Sequence, residues 1–226
     1  MMAIELAPLW LSFQIATVAT ALIFVLGLPL ALILARTHFM GKGLISGLFL
    51  LPLVLPPTVL GYYMLQVLGR EGLIGRGLET SFGVMIVFHP IGAVIAAAVT
   101  AFPLLLLPTR SAFEGVDPAL EDAARLLGRS ELSVFCAITL PLAWRGIVSG
   151  IVLAFARALG DFGATLMVAG DIPGRTRTAP IAIYNAVSIG DSASAGQLTL
   201  ALSIVAITAL WISTRVQPAL NRRAKR

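Results

Sequence analysis

Long apolar runs separated by short polar stretches make up most of the chain. Five runs approach or exceed the roughly 20 helical residues that cross a bilayer core. They cover residues 9–35, 44–68, 84–108, 142–169 and 198–216. The pattern predicts an all-α polytopic membrane protein with one transmembrane domain over 9–216 and a basic tail over 217–226. Gly27 and Pro29 are placed to bend the first run. The second holds Pro52, Pro56 and Pro57 within six residues. Each proline removes a donor and clashes with the preceding turn, so no regular helix survives there. Irregular backbone at membrane depth is tolerated beside protein or a water-filled cavity. Pro52, Pro56, Pro57 and Thr58 are therefore candidates for the wall of a translocation path, with a kink needed only for packing as the alternative. Pro90 and Pro103 are possible kinks in the third run. Residues 69–82 read as a glycine-rich connection and 170–197 as a second polar one. The latter has a turn at Asp171-Ile172-Pro173-Gly174 and a short helix over 179–189.

Residues 117–141 are the longest reach that hydrocarbon would not accept, and they lie within a loop over 113–141. Asp117 suits an N-cap and Pro118 the first helical position. Glu121 and Asp122 follow where the helix dipole favours negative charge. Gly128 is placed to end this helix in a left-handed conformation. Ser130 then caps a second short helix over 131–137, and Leu140-Pro141 is expected to turn the chain into the next span. The product is an L-shaped projection jointed at Gly128, with Ala123 and Ala124 small enough to admit a partner's surface.

Composition narrows the class. The chain is 58% hydrophobic and 12% charged, which belongs to multi-span membrane proteins. A net charge of +5 would suit nucleic acid, but the basic residues flank apolar runs and act as orientation signals, so no nucleic-acid partner is expected. Cys136 stands alone, which excludes an intrachain disulfide, offers no metal cluster and suits a small apolar filler. Residues 1–9 hold Glu5 and no Lys or Arg, so no cleaved signal peptide is expected. His38 and His89 read as polar residues at membrane edges. No catalytic constellation assembles. The lysines, Lys42 and Lys225, precede Gly43 and Arg226, so the chain has no P-loop and no cofactor site of its own.

Arg157 and Asp161 interrupt the fourth run. Four residues apart, they share one helical face. Arg157 lies ~22 Å along a helix begun at Leu142. An unpaired arginine at mid-depth costs about 2.5–3.5 kcal/mol or more, so it is expected to pair with Asp161 or face water. Two readings are open: the pair lines an anion path, or it is an ion pair internal to the helix.

Orientation follows from the basic residues. With the N-terminus outside, eleven of the 16 Lys and Arg fall on inner segments and five on outer ones. That places the 117–141 projection in the cytoplasm and the C-terminus with it.

The spacing Asp122-Ala123-Ala124, Gly128, Ile138, Leu140, Pro141 resembles the EAA loop of bacterial ABC importer permeases. That loop reads Glu-Ala-Ala, three residues, Gly, nine residues, Ile-x-Leu-Pro. Asp122 replaces the glutamate, and Glu121 beside it is a second candidate for the coupling carboxylate. Residues 51–59 with Gly61-Tyr62 resemble the molybdate branch, residues 155–164 the molybdate and sulfate permeases, and residues 172–178 with Tyr184 the molybdate branch more than the sulfate branch. Arg175 is a departure. The chain is thus similar to type I ABC importer permeases of the molybdate kind.

That resemblance implies a non-enzymatic homodimer in the cell inner membrane. Two cytoplasmic ABC ATPase subunits would consume ATP and Mg, and an extracytoplasmic molybdate-binding protein would deliver the ion, with alternating access as the mechanism. Tungstate is a second candidate for the cargo. Glu121, Asp122, Ala123, Ala124, Gly128, Ile138, Leu140 and Pro141 would couple to the ATPase. The stretch Arg175, Thr176, Arg177, Thr178 is a candidate for docking the binding protein, or else a solvated connection. A sulfate or thiosulfate permease is the runner-up. A gradient-driven anion carrier would need coupling-ion sites, usually within internal repeats, and no repeat is found.

Overall fold

The computed structural model describes residues 6–37, 39–83 and 85–216. His38, Val84 and the basic tail 217–226 fall outside the described residues. Among those described, the chain forms α1 (Leu6–Arg36), α2 (Lys42–Val54), α3 (Pro57–Leu68), α4 (Leu73–Phe82), α5 (Pro90–Glu114) and α6 (Pro118–Leu126). It continues with α7 (Glu131–Val134), a π-helical turn (Phe135–Thr139), α8 (Leu140–Leu159), α9 (Gly163–Ala169), α10 (Ala179–Ser188) and α11 (Ser192–Val216). Among the described residues, four helical stretches are long and apolar enough to cross a membrane, and the α2–α3 pair makes a fifth if it counts as one span.

Helices α1, α5 and α8 form the centre. Lipid tails are as apolar as leucine, so membrane helices associate through close packing, which small residues permit. The contact faces obey this. Helix α1 buries Ala16, Ala19, Gly27 and Ala31; α5 buries Ala93, Ala97 and Ala101; α8 buries Gly150, Ala154 and Ala158. A Cβ on Gly150 would stand 2.9 Å from the Leu105 carbonyl oxygen, so only glycine allows this approach of α8 to α5. Helices α3 and α9 pair with each other at the side of α5, and α11 leans on α8 and α10. The outward faces keep Val25, Leu26, Leu200, Ile204 and Trp211 exposed, as a hydrocarbon surround requires.

The second run breaks as its prolines predict: α2 and α3 meet at a bend of 115° at Leu55-Pro56, where the prolines withdraw donors. Other expectations need correction. The fourth run breaks at residues 160–162, between α8 and α9. The third helix spans 90–114 rather than 84–108. Pro90 enters at its first turn, and the His89 ring nitrogen Nδ1 accepts the Ile91 N–H at 3.3 Å. It continues through Pro103 and Pro108, and an Arg110–Glu114 ion pair of 2.8 Å holds its last turn.

Residues 73–82, expected as a connection, form α4 despite their glycines. A side chain on Gly75 would collide with the carbonyls of Leu68 and Gly69, so the glycine lets α4 fold back against the end of α3. Leu140-Pro141 does not turn the chain, since helix continues from Glu131 to Leu159. The Leu140 N–H bonds to Phe135 O, five residues back, and this widened turn accommodates a proline that has no N–H to give. Cys136 is exposed rather than a buried filler.

Candidate coupling elbow and translocation path

The elbow is built from local signals. Asp117 accepts the Ala119 N–H at 2.9 Å and Pro118 opens α6. At the other end Gly128 takes φ of 79°. The Arg129 N–H reaches Ala124 O at 3.1 Å and the Gly128 N–H reaches Arg125 O at 2.9 Å. This paired arrangement satisfies the last carbonyls of a helix that ends in a left-handed residue. Ser130 then accepts the Ser133 N–H at 3.4 Å and starts α7.

Arg125 clamps the joint. Its guanidinium reaches Glu131 at 2.8 and 3.1 Å on one side of Gly128 and Asp122 at 2.7 Å on the other. The hydrogen bonds to Glu131, then Asp122, hold the guanidinium pKa well above its ordinary value.

The two candidate carboxylates separate cleanly. Asp122 and Ala123 are exposed, whereas Glu121 is 4% exposed and turned into the chain. Glu121, expected as a partner-facing group, instead accepts hydrogen bonds from Arg36 and Thr139. Ala124 is buried as well, so only Ala123 of the small pair is open to a partner. Ile138 and Leu140 are half-buried, and Pro141 is exposed. Leu126 and Leu127, which the spacing did not single out, are 89% and 84% exposed beside the hinge. The available signal was two leucines at the tip of a polar helix with nothing local to cover them.

The two helix breaks lie together. Gly163, first residue of α9, is so close to the start of α3 that a Cβ would stand 3.1 Å from Pro57 Cβ and 3.3 Å from Thr58 N. Asp161 occupies the α8–α9 break at 2% exposure. Its Oδ1 accepts from Arg157 Nη1 at 3.0 Å, and its Oδ2 accepts from the Thr165 N–H at 3.0 Å and hydroxyl at 2.7 Å. Asp161 thus both pairs with Arg157 and caps the first turn of α9, so this is not an ion pair within one continuous helix. Thr165 was not foreseen; a hydroxyl four residues beyond a membrane aspartate was the signal. Phe162 packs against Tyr184 of α10, ring centres 5.1 Å apart and the planes tilted by 45°.

Pro56, Pro57 and Thr58 are exposed at this junction. Pro52 is not part of it. It lines a separate apolar cavity of about 470 Å³ between α1, α2 and α5.

The 175–178 stretch divides. Thr176 and Thr178 are buried, and Thr176 accepts the Ile172 N–H at 3.1 Å and donates to Gly170 O at 3.3 Å. Arg177 is held by Asp171, which also accepts from Asn185 at 3.2 Å. Arg175 alone of the four is exposed, so the two threonines do not form a docking surface as expected.

A chain that is all-helical among its described residues, with apolar outward faces, an interrupted helix pair beside a charged break, and a polar elbow, is a polytopic membrane protein. Residues 27–226 match the model of the family described as binding-protein-dependent transport system inner membrane component. The molybdenum transport system permease protein ModB of Escherichia coli K12 is 44% identical over 96% of this chain and 95% of its own length. Its Haemophilus influenzae counterpart of the same name is 41% identical, over 96% and 97%. Among solved structures, the MetNI methionine ABC transporter in an inward-facing conformation superposes with a TM-score of 0.70 at 17% identity, covering 94% of each chain. An amino acid ABC transporter gives 0.58 at 18% identity, covering 90% of this chain and 87% of its own.

The chain belongs to the binding-protein-dependent transport system inner membrane component family, with the type I ABC importer permease fold. It is a multi-pass inner membrane permease subunit rather than an enzyme, and such a subunit works with an ATPase and a substrate-binding protein.

Proposed function

We propose that this chain is the permease of an ATP-driven importer that carries molybdate inward across the cytoplasmic membrane. The observation that carries the reading is identity above 40% with molybdenum transport permeases over nearly their whole length. The chain supplies the matching parts. Asp122, Ala123, Leu126 and Leu127 offer an ATPase an exposed surface on a clamped elbow. The breaks at residues 55–56 and 160–162 give the spans places to flex. Arg157, held by a buried aspartate, offers a cation to a tetrahedral dianion while Asp161 keeps that attraction from becoming a trap.

In this reading the chain acts as a homodimer with the N-terminus outside and the elbow in the cytoplasm. The excess of basic residues on the elbow side supports that orientation. Within residues 175–178, Arg175 is the exposed cation available to a docked binding protein.

Reconstitution with candidate ATPase and oxyanion-binding subunits tests the whole reading. ATP turnover is expected to rise with binding protein loaded with molybdate, and with tungstate to a similar degree. Stimulation confined to sulfate or thiosulfate would reassign the cargo.

A further inference from the structure

Glu121 is buried on a nine-residue helix whose neighbouring charges, Asp122 and Arg125, face outward. Its Oε1 accepts from Arg36 Nη2 and from Thr139 Oγ1, each at 2.6 Å. Arg36 is the last residue of α1, and its Nη1 also donates to Val116 O, in the link between α5 and α6, at 3.3 Å. Thr139, 3% exposed, closes the π-helical turn at the foot of α8. One carboxylate oxygen therefore joins the elbow helix to the ends of two central helices.

Burying an ion pair costs desolvation, and an apolar substitute often stabilises a fold as well. Directional bonds from one acceptor to two other elements supply something different, a fixed relative position. The neighbouring joints cannot supply it. Gly115 follows α5 and Gly128 follows α6, and neither glycine has a side chain that could reach α1 or α8. Arg36 Nε is buried without a partner, so the contacts made by the other two guanidinium nitrogens hold that side chain. A π-helical turn, the other end of the link, is a geometry frequent at functional sites.

We propose that Glu121 is the strut by which any displacement of α6 also displaces α1 and α8. It is a positioning residue for energy coupling and makes no contact with the ATPase. This rests on the importer reading above.

The test compares wild type with Glu121→Gln, Thr139→Val and the double variant Arg36→Gln/Glu121→Gln. Each is purified with its ATPase and reconstituted with molybdate-loaded binding protein. The double variant leaves no unpaired buried charge and so guards against a simple folding defect. ATPase is expected to co-purify at the wild-type ratio, with the thermal midpoint of the double variant unchanged. Molybdate uptake per ATP hydrolysed is expected to fall about tenfold in the double variant, a size typical of coupling between sites. Thr139→Val keeps the ion pair and loses only the α8 limb, so its fall is smaller. Wild-type uptake per ATP in the folded double variant overturns the proposal. Loss of the ATPase from a folded variant overturns it too, because Glu121 would then belong to the docking face. A wild-type complex that takes up no molybdate refutes the importer reading instead, before any variant is compared.

Discussion

The hydroxyl oxygen of Ser12 accepts the Ala179 backbone N–H at 2.7 Å, tying α1 to the start of α10 across 167 residues of sequence. Both partners are buried. An N–H in the first turn of a helix has no acceptor within that helix, and inside a membrane protein no bulk water replaces one. Ser12→Ala is expected to destabilise the protein by about 1–3 kcal/mol, the cost of an unsatisfied buried donor. The measurement is the thermal midpoint in detergent, and an unchanged midpoint would show that the bond contributes nothing.

Gly61 sets how closely α3 approaches α9. A Cβ there would stand 2.7 Å from Met167 Cβ and 3.1 Å from Ala164 Cα. Gly61→Ala is expected to cost about 1–3 kcal/mol, as overpacking of a filled contact does. Gly77 in α4 is the control, since a Cβ there meets nothing within 4 Å. Gly77→Ala should be neutral or stabilise by up to about 1 kcal/mol, because alanine gives up less backbone entropy in a helix. Equal midpoints for the two variants would contradict the close approach.

Asp161 holds three donors, so its removal and the removal of Arg157 are not equivalent. Asp161→Ala strands Arg157 and the Thr165 N–H and is expected to destabilise by about 3–5 kcal/mol, as breaking a buried pair does. Arg157→Gln leaves both Thr165 bonds to Asp161 in place and should assemble with the ATPase normally. Oxyanion uptake by that variant is expected to fall. Normal uptake would assign the pair to structure alone.

Arg125 is the clamp across the Gly128 hinge, and it is exposed. Exposed ion pairs contribute little to stability, so Arg125→Ala should leave the thermal midpoint almost unmoved. The variant should instead broaden the distance distribution between spin labels placed at Leu126 and Leu132, both strongly exposed positions on opposite sides of the hinge. Stability linked to a raised cation pKa is complete below the unfolded pKa and is lost only as pH rises past the folded one. For Arg125 that window lies above working pH, so the wild-type distribution should stay constant from about pH 6 to about pH 9. Broadening within that range would show that Arg125 is not what holds the elbow.

Much of the elbow was readable because its signals are local. Asp117, Pro118, Gly128 and Ser130 each act on backbone groups within a few residues, so spacing alone placed the caps and the left-handed joint. The prolines at 52, 56 and 57 likewise announced a break, though not the angle of 115°. Helix α4 escaped notice because Gly75 and Gly77 dilute helix propensity, and only contact with the end of α3 explains Gly75.

Taken alone, the chain determined its class, the approximate positions of its apolar helices, and the caps and left-handed joint of its elbow. These depend on hydrophobic run length and on bonds between near neighbours. Tertiary structure alone decided that Glu121 faces inward and Asp122 outward, that Thr176 and Thr178 are buried, and that Gly163 meets Pro57. Each of those outcomes depends on which distant helix arrives beside the residue. A sequence records that a carboxylate is present, whereas its partner 85 residues away becomes known only when the spans pack.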